Sequence, residues 1–162
     1  MVKSMSKILK RLPVAAVILI LLSCGDLFHQ FRSVGTSWSQ CDTLAFTYPS
    51  AVDVPTRSAV DIELRNNDQY PYKEILLRIE LCSQLLNNSV VDTLLCQLYS
   101  DNGTPQGSTA GILRQTSFPL DTIDILPNDT LTIKVSHLMC DDNVRGISDV
   151  GIRFLHCGRH QL

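Results

Sequence analysis

The chain has 162 residues, of which 44% are hydrophobic and 19% are charged. This composition excludes a disordered tail, a collagen-like fibre and a protein with several membrane spans. Four of the 14 basic residues lie in the first 23 positions, so the other 139 residues carry ten basic and 16 acidic side chains, a net charge of −6. A nucleic-acid-binding domain has the opposite balance, and no nucleic-acid partner is expected.

The first 23 residues have the features of a secretory signal peptide. A basic segment, 3–11, precedes a run of nine apolar residues, 14–22, which is too short to span a bilayer as a helix. The next residues, Leu21-Leu22-Ser23-Cys24-Gly25, resemble a bacterial lipobox. The pattern predicts that Cys24 becomes the first residue after cleavage and carries acyl chains such as palmitate, which anchor the protein in membrane lipid. The alternative is an ordinary secreted protein in which the cysteine is incidental.

The rest of the chain has the composition and periodicity of β-structure. It contains 29 β-branched residues against nine Ala, Glu and Lys together, a balance that favours strands. Apolar and polar residues alternate in 60–65, 131–136 and 150–155, as in half-buried strands. Segments 75–77 and 93–96 are apolar on both faces and predict central strands.

Turn-forming residues separate these segments, at 65–68, 86–89, 101–103 and 126–129. The spacing predicts one all-β domain over residues 41–162, an antiparallel β-sandwich of about seven or eight strands. Residues 24–40 are predicted to be a lipid-anchored stalk. The stretch from Gly103 to Phe118 is predicted to be a long loop with room for one short strand.

Several sequence blocks occur in a characteristic order along the chain. They are Trp38 with Asp42–Phe46, Ile62–Asn66, Asp68–Tyr72, Asp92–Leu94, Leu131–Val135 and Gly146–Arg153. In this order and spacing they resemble the gliding-motility lipoprotein family GldH of Bacteroidetes-type bacteria. The resemblance implies a non-enzymatic role in the envelope apparatus for gliding and its associated protein secretion, with other proteins of that apparatus as partners. It implies no catalytic residues and no cofactor.

The residues after Cys24 bear on the side of the membrane that the protein faces. Surface-displayed lipoproteins of such bacteria often carry an acidic run directly after the lipidated cysteine, whereas only Asp26 follows here. This favours a periplasm-facing protein on the outer membrane. The alternative is a surface-exposed lipoprotein that binds glycans or host proteins.

Tyr70-Pro71-Tyr72 follows a polar turn and precedes a predicted strand. Two tyrosines beside a rigid proline are candidate partner-binding residues, because tyrosine is enriched at interfaces. The other interpretation, which we favour, is that Pro71 sets the start of the strand while one tyrosine packs on the core. Together with the loop 101–107, this block is the candidate binding surface.

Five cysteines remain once Cys24 is lipidated, and an odd number leaves at least one thiol free. Cys140 and Cys157 flank a glycine-containing connection between two predicted strands. A hairpin centred near Ser148 would place them opposite each other and allow a disulfide. The alternative is that all five are free thiols, which pack as small hydrophobic residues.

Metal binding and catalysis have weak signals. His137, Cys140, His156, Cys157 and His160 include potential zinc ligands, but no cysteine pair has the spacing of a zinc knuckle. No metal site is therefore predicted. The chain lacks a nucleophile elbow, a His-Glu-x-x-His motif and a phosphate-binding loop, and no enzyme activity is predicted.

An Asp-Thr-apolar tripeptide occurs four times, with its threonine at Thr43, Thr93, Thr122 and Thr130. The tripeptide is similar to the acceptor of envelope O-glycosylation in Bacteroides-type bacteria, which makes these threonines candidate sites of modification. Asp-Thr is also favourable chemistry for a turn that leads into a strand. The tripeptide therefore has two interpretations, a modification site and a turn.

Overall fold

The computed structural model describes residues 26–157, and strands make up most of this part of the chain. Within it, no helix is long and apolar enough to cross a membrane. The strands are β1 (Phe28–Ser33), β2 (Ser37–Ser39), β3 (Leu44–Pro49), β4 (Thr56–Asn66), β5 (Glu74–Ser83), β6 (Asn88–Gln97), β7 (Ser108–Ala110), β8 (Leu113–Ile125), β9 (Thr130–His137), β10 (Asn143–Arg145) and β11 (Ile147–His156).

Two antiparallel sheets form a β-sandwich, which confirms the predicted fold class. The larger sheet has the strand order β1-β11-β4-β8-β7, and the smaller sheet has the order β3-β9-β5-β6. A short ribbon of β2 and β10 adds to them. The described part thus has more strands than the predicted seven or eight, because strands of three residues are too short to show an alternating pattern.

The core lies between the two sheets and follows the alternation in the sequence. Burial of alternate apolar residues on both inner faces is what holds such sandwiches together. The predicted inward faces of three strands are confirmed. Their buried residues are Val60, Ile62 and Leu64 of β4, Leu131, Ile133 and Val135 of β9, and Val150, Ile152 and Phe154 of β11.

Residues 28–33 and 37–39 form strands, although the sequence predicts a stalk there. β1 pairs with β11 along its whole length, from Phe28 opposite Phe154 to Ser33 opposite Asp149. The Phe28 ring contacts those of Tyr48 and Phe154, with centroids 5.4 Å apart in both pairs. Trp38 in β2 is fully buried. The predicted stalk over residues 24–40 is therefore wrong for these two segments.

Two further predictions about individual strands are wrong. Segment 93–96 belongs to β6, which is an edge strand and not a central one, and Leu95 is 55% exposed. The predicted long loop 103–118 contains β7 and the first part of β8. The sequence could not show either feature, because an apolar run does not reveal which strands flank it and a polar stretch can still pair as a strand.

The loops that connect the strands gather at the two ends of the sandwich. The N-terminal end holds residue 26, Cys157 and the loops 50–55, 84–87 and 126–129. The far end holds the connections 67–73, 98–107 and 138–146 and the turn between β7 and β8. β4 runs from one end to the other, and its eleven residues separate them by about 33 Å at about 3.3 Å per residue.

Candidate functional site

An open cleft of about 690 Å³ lies at the far end of the sandwich. It brings together the two segments that we singled out from the sequence, the block 68–72 and the loop 101–107, and adds the turn between β7 and β8. Its lining residues are Asn66, Asn67, Asp68, Gln69, Tyr70, Tyr99, Pro105, Ile112 and Arg114.

The turn after β4 forms one wall of the cleft, and Asn67 fixes its shape. The backbone N–H of Gln69 donates to Asn67 Oδ1 at 3.0 Å, and the N–H of Tyr70 donates to the Asn67 carbonyl at 3.3 Å. An asparagine that bonds the backbone two residues on is the usual stabiliser of such a turn. The Asn67 N–H in turn donates to the Gly146 carbonyl at 2.9 Å, which ties the turn to the start of β11.

The opposite wall is formed by Tyr99 and the loop that follows it. The backbone N–H of Tyr99 donates to the Lys73 carbonyl at 3.0 Å, and Tyr99 forms an isolated β-bridge with Pro105. The Ser100 N–H donates to the Thr104 carbonyl at 2.9 Å, which closes a tight turn. The wall is therefore held by the backbone of its own loop and by the start of β5.

Asn66 lies at the base of the cleft and is 1% exposed. Its Nδ2 donates to Tyr99 Oη at 3.4 Å and to the Asn67 carbonyl at 3.5 Å, both long bonds. Its Oδ1 is buried and accepts no hydrogen bond from the described residues. A buried acceptor without a partner costs about 1–3 kcal/mol, so Asn66 is a local weak point in the packing beneath the cleft.

The rim of the cleft combines an apolar and a cationic side chain. Ile112, at the tip of the turn between β7 and β8, is 91% exposed, and Arg114 follows on β8. An exposed isoleucine and an arginine beside a tyrosine are residue types that suit a protein interface. Neither was singled out from the sequence, because both fall in the stretch predicted to be a loop and nothing local marks them.

The candidate partner-binding residues Tyr70, Pro71 and Tyr72 are divided between core and surface. Tyr70 is 4% exposed and donates from its hydroxyl to the Glu74 carbonyl at 2.8 Å. Burial raises the pKa of Tyr70 well above its usual value. Pro71 is exposed, and the half-buried Tyr72 donates to Asp141, a bond that raises the pKa of Tyr72. The core interpretation therefore applies to Tyr70, whose small exposed part lines the cleft, whereas Pro71 and Tyr72 are more accessible to a partner.

Cys140 and Cys157, which the sequence leaves open as a disulfide pair or as free thiols, are both free thiols in the described part of the chain. Cys140 lies at the far end, next to Asp141, which binds Tyr72. Cys157 lies at the N-terminal end, where its N–H donates to the Arg57 carbonyl at 3.2 Å. The length of β11 separates them, because β11 pairs with β1 and β4 and does not fold back on the segment that holds Cys140.

The histidines considered as metal ligands are also apart. His137 is 1% exposed at the end of β9, and its Nε2 lies 3.1 Å from the Trp38 carbonyl oxygen. Burial lowers the pKa of His137 despite this contact. His156 lies at the other end of the sandwich, and His160 lies outside the described residues. Within residues 26–157 no three His, Cys, Asp or Glu side chains are grouped for a metal ion.

The four threonines of the Asp-Thr tripeptides differ in access. Thr43, Thr93 and Thr122 are exposed, whereas Thr130 is half-buried and follows the buried Asp129. The N–H groups of Thr93, Thr122 and Thr130 donate to Oδ1 of the preceding aspartate, at 2.7, 2.6 and 2.7 Å. The tripeptide thus has a structural role at three sites, and the three exposed threonines are also open to an enzyme.

The family model described as GldH lipoprotein matches residues 26–154. The chain belongs to the GldH lipoprotein family. A relative, the gliding motility lipoprotein GldH of Flavobacterium johnsoniae, is 27% identical over 92 residues, which cover 56% of this chain and 57% of the relative. The aligned part is thus little more than half of the relative's length. Family membership links the chain to gliding motility as a lipoprotein, while the predicted lipidation site, Cys24, lies outside the described residues.

Solved structures show only distant likeness to the sandwich. The mosquito-larvicidal Cry4Aa toxin of Bacillus thuringiensis is 10% identical with a TM-score of 0.47, and the match covers 84% of this chain and 22% of the toxin. The Eiger TNF of S. frugiperda is 9% identical with a TM-score of 0.35, covering 83% of this chain and 96% of that one. We draw no functional conclusion from either.

Proposed function

We propose that this GldH-family protein is a lipid-anchored, non-enzymatic component of the envelope apparatus for gliding and its associated secretion, and that it binds another envelope protein in the far-end cleft. The family supports the link to gliding. The observation that carries the binding role is the open cleft itself, which joins the 91% exposed Ile112 and Arg114 to the turn 67–70 and to Tyr99.

The chemistry of the cleft suits a segment of a protein. An apolar side chain of the partner packs on Ile112, which is 91% exposed. The Arg114 guanidinium binds a carbonyl or a carboxylate. The walls are held by backbone hydrogen bonds of their own loops, so a partner meets a surface that is already ordered.

The position of the cleft fits a protein tethered at Cys24. The described chain starts at the N-terminal end, where the N–H of Leu27 donates to the Phe154 carbonyl at 2.9 Å. The cleft lies at the opposite end, so an anchor at Cys24 leaves it pointing away from the lipid. The arrangement is the same on either face of the outer membrane, and the short acidic content after Cys24 is what favours the periplasmic face. Resistance to protease on intact cells separates this orientation from display on the cell surface, where glycans or host proteins would be the partners.

The anchor has a direct test. Metabolic labelling with a clickable fatty acid should label the wild-type protein, and Cys24→Ser should abolish the label. The variant should accumulate as precursor or be released in soluble form. Undiminished labelling of Cys24→Ser would remove the anchor from the proposal.

The binding site is tested by recovery of partners from solubilised envelopes. Ile112→Ser and Arg114→Ala should each reduce recovery of gliding or secretion proteins about tenfold, since interface anchors contribute more than about 1 kcal/mol each. The matched controls are Leu95→Ser and Arg57→Ala, because both side chains are exposed and lie outside the cleft. Equal recovery with all four variants would place the binding surface elsewhere.

A further inference from the structure

The N-terminal end of the sandwich carries exposed apolar side chains on two neighbouring loops. Val54 in the loop 50–55 is 49% exposed, and Leu85 and Leu86 at the tip of the β5–β6 hairpin are 56% and 57% exposed. The hairpin is uncharged over a long stretch, since no Asp, Glu, Lys or Arg occurs from Leu81 to Val91. An exposed pair of leucines in an uncharged tip is unusual at a surface that only water contacts.

A buried carboxylate fixes the backbone at the tip of the β5–β6 hairpin, where Leu85 and Leu86 lie. Asp129, which is 2% exposed, accepts from the Ser83 hydroxyl at 2.6 Å through Oδ2 and from the Leu85 N–H at 2.9 Å through Oδ1. The Leu86 N–H donates to Ser83 Oγ at 3.1 Å. The backbone of the tip is therefore fixed, and the leucines do not fold back onto the core.

Asp129 also connects the two loops. Its carbonyl accepts from the Ser50 N–H at 2.8 Å, at the start of the loop that carries Val54. Burial raises the pKa of Asp129, but its hydrogen bonds from Ser83, Leu85 and the neighbouring backbone outweigh that effect and lower the pKa overall. The carboxylate thus stays ionised near neutral pH and holds the hairpin tip, while the backbone carbonyl of the same residue holds the loop 50–55.

An apolar groove extends the surface from the tip. It has a volume of about 250 Å³ and runs between the β6 and β8 edges, with apolar lining residues Leu81, Leu86, Val90, Ile123 and Leu131. Its polar lining residues are Ser83, Asn88, Asp124 and Asp129, of which Asp124 is exposed. Val90 is itself 61% exposed. The apolar area at this end is therefore continuous from the tip into the side of the sandwich.

We propose that the N-terminal end is a membrane-docking surface, with Leu85, Leu86 and Val54 inserted at the boundary between lipid headgroups and acyl chains. The proposal rests on the lipid anchor in the proposed function above. Cys24 precedes Asp26 by two residues, which span at most about 7 Å of extended chain. Acyl chains on Cys24 therefore hold this end, and not the far end, within reach of the bilayer.

A weak apolar contact is sufficient for docking in this arrangement. An anchored domain meets the bilayer at a high effective concentration, so contacts that would not bind a free protein become occupied. The absence of charge from Leu81 to Val91 avoids the penalty for placing ionised groups in the interface at the hairpin tip. In the loop 50–55 the one charged residue is Asp53, beside Val54, and its carboxylate has to stay at the level of the headgroups. Docking through this end also sets the orientation of the sandwich and keeps the far-end cleft away from the lipid.

Tryptophan fluorescence of the full mature chain in vesicles tests the proposal. Leu85→Trp and Val54→Trp each add one indole to the single native tryptophan, Trp38, which is fully buried in β2. The acylated variants are reconstituted into phosphatidylethanolamine and phosphatidylglycerol vesicles with or without brominated acyl chains. The matched control is Ile112→Trp, which replaces an exposed apolar residue at the far end.

Brominated lipid should quench the added emission of Leu85→Trp and Val54→Trp at least twofold and leave Ile112→Trp and the wild type unchanged. Equal emission of all variants with both lipids would overturn the docking surface. A blue shift at position 85 without quenching would mean contact with a second copy of the chain, and would overturn it too. If the wild-type chain does not attach to vesicles, both the lipid anchor and the docking surface are wrong. The proposed partner-binding cleft is tested separately, by the recovery of partners from solubilised envelopes.

Discussion

Gly146 lies so close to Tyr70 that a Cβ atom at position 146 would stand 2.2 Å from the Tyr70 backbone nitrogen. The glycine has a φ of +83°, in the region that other residues rarely adopt. This contact joins the start of β11 to the turn that forms one wall of the cleft. The close approach, more than the dihedral angle alone, requires glycine here.

Gly146→Ala should therefore lower the free energy of unfolding by more than the cost of placing an alanine at a positive φ angle. The control is Gly35→Ala, because Gly35 has a φ of +78° but a Cβ added there would meet no atom of the described residues within 4 Å. We expect Gly35→Ala to lower the free energy of unfolding by about 1–2 kcal/mol and Gly146→Ala by clearly more. Urea unfolding of both variants decides this, and equal losses would contradict the role of the contact.

Tyr70 and Tyr72 should respond differently to truncation. Tyr70→Ala removes a core side chain and should lower the free energy of unfolding by about 3–5 kcal/mol. Tyr72→Ala should lower it much less, because that side chain is only half-buried. Tyr70→Phe, which loses only the hydroxyl bond to the Glu74 carbonyl, serves as the control and should lose about 1 kcal/mol. Thermal and urea unfolding measure these losses, and an undiminished stability of Tyr70→Ala would show that Tyr70 is not part of the core.

Asp129 should make the stability of the protein depend on pH in the acid range. Its folded-state pKa lies below its unfolded value, so its stabilising effect is present above about pH 4 and is lost as the pH falls through the folded-state pKa. Asp129→Asn should lower the free energy of unfolding by about 2–3 kcal/mol at neutral pH. The difference between the variant and the wild type should shrink in acid. A difference that is constant from about pH 7 to about pH 3 would contradict this account.

Glycan addition should follow the exposure of the four Asp-Thr tripeptides. Thr43, Thr93 and Thr122 are open to an enzyme, whereas Thr130 is half-buried beside the buried Asp129. We expect mass spectrometry of protein from its native envelope to find modification at one or more of the first three threonines and none at Thr130. Modification at Thr130 alone would show that exposure in the folded domain does not determine the site.

Local patterns in the sequence predicted the parts of the fold that depend on neighbouring residues. The alternation of Val60, Ile62 and Leu64 was sufficient to assign both a strand and its buried face, because side chains alternate along any strand. The pairing of β1 with β11 joins residues more than 100 positions apart, and no local pattern encodes it. For the same reason local patterns could not place β1 in the larger sheet or show that Cys140 and Cys157 lie at opposite ends of β11.

The candidate site was predictable only in outline. The turn at 65–68 and the loop 101–107 stand out as polar segments, but their convergence on one cleft depends on the order of strands in two sheets. Asn66 has no distinctive neighbours, and the lack of a donor to its Oδ1 among residues 26–157 is a property of three-dimensional packing. Ile112 is one more apolar residue in the sequence, and only its 91% exposure marks it.

Photo-crosslinking in living cells through position 112 tests the central claim most directly. A photoreactive amino acid in place of Ile112 should give an adduct with a protein of the gliding or secretion apparatus, and the adduct should weaken when Arg114→Ala is added. The same amino acid in place of Leu95, which is exposed outside the cleft, should give no such adduct. No adduct from position 112, or the same adduct from both positions, would contradict a partner-binding cleft at the far end of the sandwich.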